Sequence, residues 1–150
     1  MAKAVTGSFL VCNRDPAVPV ERRQECRTFE PTLLAPAASR RFVRQMLEVW
    51  DADDLADTAE LLTTELVTNV VRHAVGGIDV GLEWEDPTLR VEVRDGSSIL
   101  PAVQEVPGAH GGYGLRLVAG LVREWGVSAT DDGKAVWFTL ERNADQLPGS

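Results

Sequence analysis

Residues 65–74 read Glu-Leu-Val-Thr-Asn-Val-Val-Arg-His-Ala, and Glu65, Asn69, Arg72 and His73 recur within them at three- and four-residue intervals. At roughly 100° per residue these four fall within about one third of a helix circumference, with Leu66, Val67, Val70, Val71 and Ala74 opposite. A helix with one solvated polar side gives the same pattern. Two details point beyond solvation. Asparagine is a mediocre mid-helix residue, because its amide competes for backbone hydrogen bonds, and His73 is one of only two histidines in the chain. The pairing also makes chemical sense. A carboxylate can accept a proton or orient a nucleophile, and an amide oxygen one turn away is a hard ligand suited to Mg²⁺.

Two later segments could join that stripe. Asp95-Gly96-Ser97-Ser98 follows an alternating stretch, although Asp-Gly is also a common turn. Gly111-Gly112-Tyr113-Gly114-Leu115 stands where a helix is predicted to open. Backbone N–H groups unshielded by side chains at a helix start can meet an anion such as phosphate, and a merely flexible helix start has the same composition. The segment is neither a P-loop with its Lys-Ser/Thr nor a dinucleotide fingerprint after a first strand.

Taken in order, the three pieces say more than they do singly. Glu65-x-x-x-Asn69-x-x-x-His73, a strand ending in Asp95-Gly96, and Gly112-x-Gly114-Leu115 resemble the Bergerat-type ATP-binding fold. That superfamily includes DNA gyrase B, heat-shock chaperone ATPases, histidine kinases and mismatch-repair ATPases. Within it the chain is most similar to the single-domain anti-sigma-factor serine/threonine kinases and their actinobacterial ATP-binding regulatory relatives, over about residues 28–141.

The resemblance implies ATP and Mg²⁺ as cofactors and gives each motif a role. Asn69 would hold the Mg²⁺ that bridges the phosphates, and Glu65 would be the general base. Asp95 would bind the adenine amino group, with Gly96 letting the base approach the backbone. Gly111, Gly112, Tyr113, Gly114 and Leu115 would border the phosphates, at the end of a lid over Val103–Tyr113. Arg72 and His73 would assist phosphate binding, and a surface or interhelix polar contact is an equal reading of both. The implied activity is phosphorylation of serine or threonine on a small anti-anti-sigma partner, with a sigma factor as a second partner and a homodimer as a common assembly. The alternative is a non-catalytic, nucleotide-gated binding module. Three departures stand out: Ser97 replaces a usual glycine, Gly133 is followed by Lys134-Ala135 with no threonine hydroxyl, and the lid carries His110.

The elements that must position these residues follow from periodicity. Phe42, Val43, Met46, Leu47 and Trp50 predict a helix over Ala38–Trp50, and Asp51–Asp54 are read as its stop and the next cap. A second helix is predicted over Leu55–Ala74, ended by Gly76-Gly77. The period then drops to two. Ile78–Trp84 and Leu89–Val93 alternate apolar with polar around Glu85-Asp86-Pro87, as an antiparallel hairpin does. After a loop over Ser97–Gly112, a third helix is predicted to carry Leu115, Val118, Leu121, Val122 and Trp125. Strands over Gly126–Thr130 and Lys134–Glu141 complete the pattern, and a first strand is placed near Cys26–Leu34. The expected class is α+β: a two-layer sandwich, a mostly antiparallel mixed sheet covered on one face by about three helices. Residues 1–25 are expected to form an arm, 26–142 the ATP-binding domain and 143–150 a frayed tail.

Composition limits the alternatives. With 150 residues, 44% hydrophobic and 25% charged, the chain suits one soluble domain with a real core. No apolar run nears the ~18 residues of a membrane span, and the start lacks a secretory segment, so the expected location is cytoplasmic. Fifteen basic against 23 acidic residues leave a net charge of −8, which offers no bulk basic footprint for nucleic acid. The two cysteines, Cys12 and Cys26, lack metal-ligand spacing and are read as free thiols, with pairing to each other as the alternative.

Overall fold

Alternation along the later strands sets the architecture. The computed structural model describes residues 22–97, 122–131 and 133–142. Strands β1 (Arg23–Phe29), β2 (Ile78–Glu85), β3 (Thr88–Asp95), β4 (Glu124–Thr130) and β5 (Gly133–Glu141) form one sheet in the order β1-β2-β3-β5-β4. Every neighbouring pair is antiparallel. Two helices, α1 (Ala35–Val49) and α2 (Ala56–Val71), pack together, joined by a short 3₁₀ turn at Asp53–Leu55.

Parity decides which side chains face the helices. Leu89, Val91 and Val93 of β3 stand opposite Leu140, Phe138 and Val136 of β5, and all six lie in the core cluster. Ile78, Val80, Leu82 and Trp84 continue that face on β2. Phe42, Val43 and Leu47 of α1 and Leu62, Leu66, Val67 and Val70 of α2 close over it. Full burial of one such side chain stabilises by ~1.5–3 kcal/mol, so this layer is the main source of fold stability. The opposite face of the sheet carries Glu92, fully buried and 3.6 Å from Arg90, whose guanidinium lies 4.2 Å from the Trp137 ring centroid.

Several element bounds differ from the sequence expectation, each for a physical reason. Helix α1 begins at Ala35 because Pro36 lies in its first turn, where the missing proline N–H has no helical partner to lose. Helix α2 begins at Ala56 with no side-chain cap, and Asp54 binds Arg142 instead. It ends at Val71, so Arg72 is its C-cap and His73 stands in the following turn. Strand β1 runs three residues earlier than expected, pairing Arg23–Phe29 with Trp84–Ile78 and stopping before Pro31, which cannot donate to a ladder. Glu85 pairs with Thr88, so the β2–β3 turn is two residues long. Trp125 is not on a third helix; it lies in β4 opposite Phe138. Val122, predicted on the same helix, packs against the core just before β4, and Arg23–Glu25 of the expected arm belong to β1. Residues 1–21 and 98–121, with the lid, and the tail 143–150 lie outside the described residues. Cys26 on β1 is disulfide-bonded rather than a free thiol, and the chain's other cysteine, Cys12, lies outside the described residues. No helix among the described residues is long and apolar enough to cross a membrane.

Candidate functional site

The core face of β3 and β5 changes character at its last step. After three apolar cross-strand pairs, the same parity brings Asp95 opposite Lys134. Both are buried, with side-chain exposures of 0% and 3%, and Lys134 Nζ lies 2.8 Å from Asp95 Oδ1. Neither atom has an aligned hydrogen-bond partner, so the contact is ionic and leaves the directional capacity of both atoms unused.

The other oxygen of Asp95 is engaged. Oδ2 accepts the N–H of Ser97 at 3.0 Å and the N–H of Val75 at 3.2 Å. The Gly96 N–H in turn donates to Val75 O at 3.0 Å. The segment leaving α2 is therefore stitched onto the end of β3, which fixes α2 relative to Asp95. Gly133 makes the close approach of β5 possible. A Cβ there would stand 2.0 Å from Asp95 O and 2.6 Å from Gly96 Cα, and its φ of +152° disfavours any other residue.

On α2 the expected stripe divides. Asn69 is only 8% exposed, which removes the solvated-face reading for it, and its Nδ2 is buried with no hydrogen-bond partner. Glu65, one turn earlier, is half-buried. Arg72 and His73 are exposed beyond the helix end, and the His73 N–H donates to Val70 O at 3.0 Å, tightening the last turn. Arg72 keeps helical dihedrals as the C-cap of α2, and His73 follows it in the turn. Gly111, Gly112, Tyr113, Gly114 and Leu115 lie outside the described residues.

The unused Nδ2 donor of Asn69 is completed by an acceptor such as a phosphate oxygen, and the amide oxygen is the end that would face a hard cation. Among the described residues no group of three or more His, Cys, Asp or Glu could hold a metal ion. A cation at Asn69 would thus take one protein amide and draw its remaining ligands from water and phosphate. That donor set suits Mg²⁺, which keeps most of its waters and favours substrate phosphates over all-protein cages.

The two-layer α+β domain, a five-stranded antiparallel sheet with two packed helices, sets the class: a sandwich of the ATPase type. The model of the histidine kinase-like ATPase domain matches residues 29–140, and the chain belongs to that family, within the GHKL superfamily. The match supports an ATP-binding regulatory function. No curated protein matches the chain.

Lys134 is the residue that motif reading left without a role. Its signal lay in parity: the alternation of Leu140, Phe138 and Val136 continues to Lys134, a cation where the pattern calls for an apolar side chain.

Proposed function

We propose that the protein is an Mg²⁺-dependent ATP-binding serine/threonine kinase of the anti-sigma-factor type, acting on a small anti-anti-sigma partner. The observation that carries this reading is the junction of α2 with β3: a buried Asn69 whose Nδ2 is unpaired, on a helix whose exit is hydrogen-bonded to Asp95 and Gly96. Asp95 holds the base, Asn69 would hold Mg²⁺ at the phosphates, and Glu65 accepts the proton of the attacking hydroxyl. Mg²⁺, when bound, neutralises charge on the phosphates. Transfer forms a bond from the hydroxyl oxygen to the γ-phosphorus, and the bond to the β-phosphate oxygen breaks with its electron pair leaving on ADP. Phosphoryl transfer asks for positioning, charge neutralisation and one base, and little covalent chemistry from the protein. The glycines from Gly111 to Gly114 supply backbone contacts to the phosphates in this reading, and Arg72 and His73 stand near enough to the helix end to assist.

The test pairs binding with transfer. Titration calorimetry with ATP and Mg²⁺ is expected to give saturable binding that Asn69→Ala weakens and Glu65→Ala leaves intact. With γ-labelled ATP and the partner recovered by ATP-dependent pull-down, Glu65→Ala is expected to lower label transfer by about 10²–10⁴-fold. Absence of ATP binding would overturn the reading. Binding that alters partner affinity with no label transfer would replace it with the nucleotide-gated binding module, a reading favoured by the absence of a hydroxyl at Lys134-Ala135.

A further inference from the structure

We infer that Lys134 is a base-specificity residue, and that Asp95 Oδ1 and Lys134 Nζ together form an acceptor–donor edge complementary to the amino group and ring N1 of adenine. The inference rests on the nucleotide reading above and adds to it a residue that the motifs do not assign.

The argument starts from what a structural ion pair would look like. A buried pair is stabilising only when its geometry is good and its remaining hydrogen-bonding capacity is filled, because desolvation of the two charges is otherwise uncompensated. Here the capacity is not filled. Lys134 Nζ and Asp95 Oδ1 approach to 2.8 Å yet neither has an aligned hydrogen bond. An ammonium offers three donors and a carboxylate oxygen two lone pairs, so several directions remain open on atoms shielded from water. Asn69 Nδ2 on α2, the helix whose exit segment binds Asp95 Oδ2, is likewise buried without a partner. Orphaned polar atoms at one end of an otherwise apolar face call for a ligand that completes them.

Parity says which ligand edge fits. Asp95 and Lys134 are directly opposite on adjacent strands and project from the helix-facing side of the sheet, so their free directions are side by side. Adenine presents a donor amino group next to the acceptor N1. With the amino group on Asp95 Oδ1, N1 falls beside Lys134 Nζ and accepts from it. Guanine in the same pose sets the acceptor O6 against the carboxylate and the N1–H donor against the ammonium, two repulsive contacts in place of two attractive ones. A direct ammonium donor thereby serves where a hydroxyl is absent after Gly133.

Equilibrium binding of ATP and 1-deaza-ATP, in which a C–H replaces N1, tests this on the unaltered protein. Removing the acceptor for a charged donor is expected to weaken binding by about tenfold or more, and GTP is expected to bind more weakly still. Lys134→Met, close to lysine in length and shape, is expected to weaken ATP while binding ATP and 1-deaza-ATP equally. If wild-type protein binds both nucleotides with the same affinity, or if Lys134→Met keeps the discrimination, the assignment of Lys134 is overturned while ATP binding stands. If wild-type protein binds no ATP, the nucleotide reading itself fails. Should Lys134→Met not fold by circular dichroism, the wild-type comparison of the two nucleotides decides alone.

Discussion

Strand β5 has an acid–base pair near each end, and the two are built differently. Beyond its last residue, Arg142 grips Asp54 with two hydrogen bonds, Nε to Oδ2 at 2.9 Å and Nη2 to Oδ1 at 2.6 Å, and donates to Asp51 O at 2.7 Å. Its guanidinium carbon also lies 5.0 Å from the Trp84 ring centroid. The hydrogen bond to Asp54 lifts the Arg142 pKa above its ordinary value. Near the other end, roughly 26 Å away at ~3.3 Å per residue, Lys134 and Asp95 are more deeply buried yet meet without an aligned hydrogen bond. One pair uses its donors and acceptors to tie the α1–α2 connector to the end of the sheet. The other keeps them unused under the helix layer. A clamp consumes its hydrogen-bonding capacity, whereas a binding site holds it in reserve.

A large stability effect that involves no change of charge is expected at the site end, from backbone packing. Gly133→Ala would drive a Cβ against Asp95 O and Gly96 Cα, neither of which is the flexible end of a side chain. A forced backbone shift in a packed region costs about 3 kcal/mol, to be read as a fall in the urea midpoint at unchanged slope. A midpoint equal to wild type would mean that β5 can move away from Asp95, and the geometry of the pair would then be incidental.

Arg142→Ala comes next. Its hydrogen bonds to a carboxylate and a carbonyl are charge-assisted but partly open to solvent, with Arg142 and Asp54 side chains 13% and 17% exposed. A loss of about 1.5 kcal/mol is expected, with ATP affinity within twofold of wild type. A clear change in ATP affinity would break the division between clamp and site, because it would couple the two ends of β5.

How much of this could be read from residue order differs between the two ends as well. The β2–β3 hairpin was legible because a period of two leaves little choice once one face is buried. Glu65 and Asn69 were legible as a pair, since four-residue spacing holds on any helix. The end of α2 after Val71 was not, because the pattern does not reveal where a helix yields to a turn. Val122 and Trp125 have helical spacing, yet Trp125 alternates with Val127 in β4 against the same core. Short apolar runs support both periods, and only the pairing with Phe138 decides. The partners of Asp95 were the hardest to foresee. One oxygen is held by the backbone of Val75, 20 residues earlier, and the other faces Lys134 on a strand that follows later in the chain. No local pattern encodes a tertiary contact of that kind.

The smallest stability effect is expected where the charges are most buried. Breaking one member of a buried pair leaves an uncompensated charge and destabilises by ~3–5 kcal/mol, but removing both is often neutral or stabilising. The double variant Asp95→Asn with Lys134→Met replaces the pair by neutral side chains of similar volume and keeps an acceptor for the Val75 and Ser97 N–H groups. Its stability is expected within about 1 kcal/mol of wild type, while ATP affinity falls by about tenfold or more. That combination, a fold indifferent to the pair and a ligand dependent on it, separates a reserved site from a clamp. Should the double variant lose as much stability as Arg142→Ala and bind ATP normally, Lys134 and Asp95 would be a second clamp, and the contrast between the ends of β5 would be one of geometry alone.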